Sequence, residues 1–308
     1  MSTLYRTDRA LIGAGAALAP DTDNDDILSA GDLMLLDMAH SLLPDGQKAA
    51  LPLNATTTPL KNMAWRQAAA LTGAEEDDLD ALMTGNFLSA DLAAERTLRD
   101  GLHVACSRSG MSDGRNVTIS LPDAIKIYLL AHPTHRYFLS IEGMITRKAL
   151  YASGNALPIA GIMNASGSTS NYLAILTGGD DSGNETGLNL GAELGQPAGG
   201  IMKPGPNTEG VPFYRDTGAW RWQNSIPASI AALEAMLAIW GAYGAWSTIG
   251  DNNAASWILY RVHLKDLTAA NQRYEEASHA SRRLFDQNIA VGGRWRGDIY
   301  TAPGILKP

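Results

Sequence analysis

The sequence predicts a mainly β protein, a β-sandwich with a C-terminal helix, preceded by a smaller, partly helical N-terminal region. Charged residues make up only 18% of the 308 residues, below the roughly 25% of an average chain. Glycine is abundant, with 31 residues, and proline adds 14. From about residue 101 onward, short apolar runs alternate with turn residues, as in sandwich folds.

The individual strands follow from those apolar runs. Pro, Gly, Asp and Asn separate the predicted strands at 102–107, 117–121, 125–131, 137–141, 144–148, 171–177 and 187–190. Residues 229–240 are predicted as a strand or a short helix, and residues 256–264 form the strongest strand pattern in the chain. An amphipathic helix is predicted over residues 273–288, because its apolar residues recur at helical spacing.

The N-terminal region has a different composition and a different spacing of apolar residues. Residues 1–20 are rich in Ala and Gly and predict an arm that docks on a partner rather than a signal peptide, because the apolar part is short and Pro20 follows it. Apolar residues between 33 and 43 predict a short helix that ends at Pro44. Residues 62–100 are predicted to be helical or mixed. The predicted division is a docking region, 1–95, and a sandwich, 96–308.

Charge and cysteine content exclude several classes of partner. The net charge of −8 and the absence of a basic run argue against nucleic acid, whose phosphates repel an acidic chain. One cysteine, Cys106, cannot form an intrachain disulfide framework. No apolar run reaches the ~18 residues that a membrane span needs, so no membrane insertion is expected.

Metal and cofactor motifs are weak. The predicted state is no cofactor and no metal, although Asp180, Asp181 and Asn184 form an oxygen-rich loop that is a weak candidate for Ca²⁺. The closest histidine pair, His132 and His135, flanks a turn and is interpreted as a surface pair.

Catalytic motifs do not fit their required context. Residues 110–114 match G-x-S-x-G, but a strand-like run follows them instead of a helix, which predicts a hairpin turn. No strand carries carboxylates two apart, the spacing that would place a glycosidase pair on one face. The sequence therefore predicts a protein that is not an enzyme.

Aromatic residues indicate carbohydrate binding more directly. Six of the seven tryptophans fall in the C-terminal third, and the indole of a tryptophan can stack on the apolar face of a sugar. Trp220, Trp222, Asn224 and Trp246 are the candidate carbohydrate-binding residues, since Trp220 and Trp222 share one face if extended. Trp240 and Trp257 are predicted to lie in the core.

The C-terminal part also resembles a known family. Residues 255–268, the helical run 274–285 and the tail 292–301 resemble the end of phage-encoded concanavalin A-like modules. Shorter upstream matches lie at 95–97, 101–104, 138–141 and 145–147. The resemblance implies a jelly-roll sandwich in a tailed phage, prophage or gene transfer agent, made in the host bacterial cytoplasm and carried on the virion.

The leading hypothesis is a virion structural protein, as a head spike, tail fibre or minor tail component, that binds host surface polysaccharide. It would contact other virion proteins through its N-terminal region and form a homo-oligomer. One alternative is a purely structural decoration or connector protein that contacts only virion proteins. A second alternative is a polysaccharide depolymerase.

Overall fold

A computed structural model describes residues 27–38, 51–109, 111, 114–150, 157–164, 171–177, 201–203, 207–219, 227–243 and 252–307. Within these ranges the chain forms two β-sheets packed face to face, with a C-terminal helix on one of them. This confirms the predicted mainly β sandwich.

The first sheet has six strands. Their order is β11 (Pro212–Ala219), β7 (Tyr137–Arg147), β13 (Ser256–Asp266), β5 (Leu102–Cys106) and β4 (Leu92–Arg96). A sixth strand, β1 (Asp32–Asp37), pairs antiparallel with the second half of β13, and β5 pairs with the first half. Strand β13 is therefore the centre of this sheet.

The second sheet has seven strands. Their order is β10 (Ile201–Lys203), β9 (Asn171–Thr177), β8 (Leu157–Asn164), β12 (Leu233–Gly241), β6 (Asn116–Ser120), β3 (Ala81–Asn86) and β2 (Thr57–Leu60). All neighbours are antiparallel except β10 and β9. The described helices are α1 (Trp65–Thr72), α2 (Asp123–Ala131), α3 (Tyr274–Ile289) and α4 (Pro303–Leu306), with 3-10 turns at Glu76–Leu79 and Ile230–Ala232.

A stacked pair of tryptophans joins the two sheets in the core. The rings of Trp240 on β12 and Trp257 on β13 lie 4.4 Å apart at 19°, and both are almost fully buried, as predicted. Each indole N–H donates to the backbone of the opposite sheet, Trp240 Nε1 to Trp257 O at 3.0 Å and Trp257 Nε1 to Ile239 O at 3.1 Å. Both polar atoms of the pair are thus satisfied inside the core.

Two short apolar runs adopt the opposite structure to the one predicted. The described part of the helix predicted at 33–43 is strand β1, whose six residues are all buried. A strand covered on both faces loses the alternation that identifies strands. The strand predicted at 125–131 is helix α2, which begins after Pro122 and buries Ile125, Tyr128 and Leu129 at helical spacing.

Two further predictions change at their boundaries. The strands predicted at 137–141 and 144–148 form the single strand β7, which runs through Gly143. Within 62–100, only residues 65–72 are α-helical, and β3 and β4 take the place of a second helix. Because β1 to β4 all lie in the two sheets, the boundary predicted at 95/96 falls inside one sandwich rather than between two units.

The C-terminal segment covers the outer face of the first sheet. Helix α3 confirms the helix predicted at 273–288, and it buries Phe285 against the sheet. After the helix, the Trp295 ring stacks on Tyr260 of β13, with ring centroids 4.8 Å apart at 11°. Among the described residues, no helix combines the length and the apolar character that a membrane crossing requires.

Four carboxylates fasten this segment to the sheet. Asp216 of β11 accepts hydrogen bonds from α3, Asp37 of β1 pairs with Arg294, and Asp298 accepts from Tyr260 of β13. Glu95 of β4 accepts from the backbone and the hydroxyl of Thr301, both at 2.7 Å. The outer face of the first sheet is therefore closed by the protein's own chain.

The contribution of the His103–Glu95 pair to the free energy of unfolding is expected to decrease as the pH is lowered from about 7 to about 3. Burial lowers the pKa of His103, which hydrogen bonds to Glu95 at 2.9 Å. Burial alone would raise the pKa of Glu95, but hydrogen bonds from His103 and Thr301 outweigh it and lower that pKa. Both groups bind a proton more readily when unfolded, so stability decreases below about pH 6.5 for His103 and below about pH 4.3 for Glu95.

Urea unfolding at several pH values measures this dependence. Below about pH 4.3 the variant Glu95→Gln is expected to show a flatter loss of stability than the wild type, because it lacks the carboxyl that titrates there. Equal slopes of stability against pH for the wild type and Glu95→Gln below about pH 4.3 would contradict the expectation.

Candidate functional site

The outer face of the second sheet carries small polar side chains. Val117 and Ile119 of β6 point into the core, so the alternating residues Asn116, Thr118 and Ser120 point outward. The same alternation on β3 places Met83 in the core and Thr84 on the outer face. This face differs from the outer face of the first sheet, which the C-terminal segment covers.

A row of three threonines crosses three strands of this face. The register pairs Thr57 with Thr84 and Thr84 with Thr118, and cross-strand partners in antiparallel sheets share a face. The Oγ1 atoms of Thr57 and Thr84 are 3.2 Å apart. Since adjacent strands lie about 4.8 Å apart, the three threonines are regularly spaced. Thr57 is exposed, Thr84 is partly exposed and Thr118 is buried.

A second row runs parallel to the threonines. Ser120 of β6 is paired with Leu82 of β3 on one side and with Met236 of β12 on the other. The Ser120 hydroxyl donates to the Leu82 carbonyl at 3.4 Å, and the Ser120 side chain is partly exposed. The row therefore combines one hydroxyl with two apolar side chains.

A carboxylate and a phenol meet on the same face. Glu234 of β12 alternates with the core residues Leu233 and Ala235, and it accepts a hydrogen bond from the Tyr243 hydroxyl. Tyr243 follows the end of β12, nine residues further along the chain. Gly241 has a φ of 86°, and Ala242 N donates to Arg115 O at 2.8 Å, next to the pair formed by Gly241 and Asn116.

Burial gives the carboxylate unusual acid–base properties. Burial raises the pKa of Glu234, and the hydrogen bond from Tyr243 only partly offsets this effect. Burial also raises the pKa of Tyr243, and the nearby Glu234 carboxylate raises it further. A carboxyl with a raised pKa can hold a proton closer to neutral pH and donate it to a ligand.

One end of the face carries amides and a guanidinium. Asn86 donates to the Gly114 carbonyl at 2.9 Å and accepts from Arg115 at 3.3 Å. The Arg115 Nε atom also lies 3.7 Å from the carboxylate of Asp91, which is buried.

We use the term outer polar face for Thr57, Thr84, Thr118, Ser120, Met236, Glu234 and Tyr243 together. Its hydroxyls, carboxylate and aromatic ring suit a neutral, hydroxyl-rich ligand.

None of the predicted site residues is among those that the structure describes. Trp220, Trp222, Asn224 and Trp246 fall outside the described residues, as do Asp180, Asp181 and Asn184. Within the described part of the chain, no three His, Cys, Asp or Glu side chains come together as a metal site. The sequence prediction missed Glu234 and Tyr243, although the alternation of residues 233–237 shows that Glu234 points away from the core.

The histidine pair is more enclosed than predicted. His132 and His135 lie in the turn after α2, with ring centroids 4.7 Å apart, and both are half-buried rather than fully exposed. The buried Asp266 carboxylate accepts from His135 at 2.6 Å and from the Tyr128 hydroxyl at 2.8 Å. These contacts fasten α2 to the end of β13.

Comparison with known proteins gives only distant similarities. No protein-family model matches the chain, and no curated protein matches it. A structure of Trypanosoma rangeli sialidase with 2,3-difluorosialic acid, a covalent intermediate, is 11% identical at a TM-score of 0.37 and covers 86% of this chain. The complex of that sialidase with sialic acid is 13% identical at a TM-score of 0.36 and covers 92%. The chain spans 36% and 37% of the length of these two sialidase chains.

These similarities correct one prediction. The sequence predicts a protein that is not an enzyme, whereas the similar solved structures are sialidases, so that prediction is wrong. The similarity is too low to transfer an activity or a set of site residues. Nothing in the comparisons indicates a virion.

Proposed function

We propose that this chain is a glycan-binding protein that recognises a polysaccharide on the outer polar face. The observation that carries the proposal is the contrast between the two sheets. The C-terminal segment covers the outer face of the first sheet, while the described part of the second sheet carries the exposed or partly exposed hydroxyls of Thr57, Thr84 and Ser120 on the same face as Glu234. A sugar offers hydroxyls to the polar groups and an apolar ring face to the tyrosine.

The proposed setting is a virion that attaches to the surface polysaccharide of its host. The support is the resemblance of residues 255–301 to phage-encoded concanavalin A-like modules. Other virion proteins would then be partners, and the glycan would lie on the side of the sandwich away from α3. A decoration or connector protein that contacts only virion proteins would bury the outer polar face in a protein interface instead.

Thr84→Arg is expected to weaken glycan binding about tenfold or more. Thr84 is the middle residue of the threonine row, and its side chain is partly exposed, so an arginine there can point outward and obstruct the face without disturbing the core. Titration of the purified protein with host polysaccharide measures the change. Thr134→Arg is the matched control, since Thr134 is exposed in the turn before β7.

Binding to whole host cells tests the setting. The labelled protein is incubated with cells that carry their surface polysaccharide and with cells that lack it, and released sugar is measured in the same tubes. Binding only to the first cells supports the proposal. Equal binding to both, or to neither, would refute recognition of that polysaccharide.

A second candidate function is cleavage of the bound polysaccharide. The observation that favours it is the raised pKa of Glu234, the property expected of a general acid next to a glycosidic oxygen. This role would be established if the wild type releases sugar and the variant Glu234→Gln releases none but still binds the polysaccharide. Binding without sugar release would leave the protein as a glycan-binding module.

A further inference from the structure

A basic groove runs along the exposed face of α3. Its volume is about 440 Å³, and its described lining residues are His279, Arg282, Arg283, Asp286, Gln287 and Ala290. These positions recur at helical spacing, so they form one stripe on the solvent side of the helix. Arg282 is held in place by Asp286, with Nε 3.3 Å from Oδ1, and by the Tyr214 ring.

The charge of this groove contrasts with that of the chain. The protein has a net charge of −8, yet two arginines and a histidine line the groove against the single carboxylate of Asp286. At physiological ionic strength, charges farther away than about 8 Å are largely screened. A ligand in the groove therefore meets its local positive charge rather than the negative charge of the whole chain.

The same chain carries an exposed acidic turn, whose charge is opposite to that of the groove. Four consecutive carboxylates, Glu75, Glu76, Asp77 and Asp78, are all exposed around the 3-10 turn before β3. Lys61 pairs with Asp77 at 2.9 Å and with the buried Asp80 at 3.0 Å, so it neutralises only part of this charge. We call Glu75 to Asp78 the acidic turn.

The groove and the acidic turn lie at opposite edges of the first sheet. Helix α3 contacts β11 and β7, while α1, which packs against the acidic turn, contacts β1. The strand order places β11 at one edge and β1 beyond β13 at the other. One chain therefore cannot insert its own acidic turn into its own groove.

We infer that the α3 groove binds the acidic turn of a second copy of this chain. The contact is heterologous, because two different surfaces meet, and repetition of such a contact produces a closed ring or a filament. Arginine forks on the groove side bind the carboxylates of the neighbouring turn. This inference uses neither Thr84 nor Glu234 and is independent of the proposed glycan site.

Sedimentation velocity of the full chain at several concentrations tests the inference. The wild type is expected to associate at about 50 mM salt and to dissociate at about 500 mM, because the contact is ionic. The groove variant Arg283→Glu with Gln287→Glu changes two exposed residues, reversing one charge and adding one negative charge, and leaves Arg282 in place. The turn variant Glu75→Lys with Asp78→Lys leaves the Lys61 partners Asp77 and Asp80 unchanged.

Each variant alone is expected to bind its own copies at least about tenfold more weakly. An equal mixture of the two is expected to associate, because the unaltered groove of the turn variant can bind the unaltered acidic turn of the groove variant. Arg296→Glu, an exposed change after α3 and outside the groove, is expected to associate like the wild type. A monomeric wild type, a variant that associates normally, or a mixture that stays dissociated would overturn the inference. Polysaccharide binding by the same variants separates its failure from a failure of the glycan proposal.

Discussion

Replacing Trp257 by alanine is expected to lower the free energy of unfolding by about 3–5 kcal/mol, the range for large buried aromatic residues. The indole is almost fully buried and stacks on Trp240 of the opposite sheet. Its removal leaves a cavity where the sheets meet and leaves the Ile239 carbonyl without its donor. Equilibrium unfolding in guanidinium chloride, followed by circular dichroism, measures the change.

Trp257→Phe is the informative control for this prediction. Phenylalanine keeps much of the stacking surface but cannot donate to the Ile239 carbonyl, so a smaller loss of about 1–3 kcal/mol is expected. If the alanine variant were no less stable than the phenylalanine variant, the stack would not contribute as described.

Replacing Asn62 by alanine is expected to cost about 2–4 kcal/mol, although Asn62 lies in no strand. Its buried side-chain amide hydrogen bonds to the backbone of β1. It accepts from Leu35 N at 3.0 Å and donates to Leu33 O at 2.9 Å. The same carbonyl oxygen accepts from Ala64 N at 2.9 Å, one residue before α1. Alanine would leave three backbone groups without their partner.

Asn54→Ala provides the matched comparison. Asn54 also accepts a backbone hydrogen bond, from Phe87 N at 3.0 Å, but this contact is exposed and water can replace it. Its loss is expected to cost less than about 1 kcal/mol. Thermal unfolding of both variants measures the difference, and equal losses would show that the β1 edge does not depend on Asn62.

The parts of the fold that the sequence predicts best are those with a strong local pattern. Strand β13 is a long apolar run and α3 has apolar residues at helical spacing, and both lie close to where they are predicted. The sequence of β1 predicts a helix instead of a strand. All six residues of the strand are buried, so apolar and polar residues do not alternate along it. Its identity depends on pairing with β13, more than 200 residues away in the sequence.

The candidate site was harder to predict for a related reason. The threonine row exists only because the register places Thr57, Thr84 and Thr118 side by side from three separate strands. The contact between Glu234 and Tyr243 joins residues nine apart in the sequence at the two ends of β12, and composition does not reveal it. The tryptophan content predicts a carbohydrate site in the C-terminal third, but Trp240 and Trp257 lie in the hydrophobic core.

The central position of β13 also determines when the chain can fold. This strand pairs with β1, β5 and β7, so the first sheet lacks its central strand until residues 256–266 have been synthesised. Contacts over such long sequence separations form slowly, because closing large loops costs entropy before any contact is gained. During translation the edges of the earlier strands of the first sheet therefore remain unpaired, and unpaired strand edges are prone to aggregation. Chains that end before β13 are expected to be insoluble for the same reason.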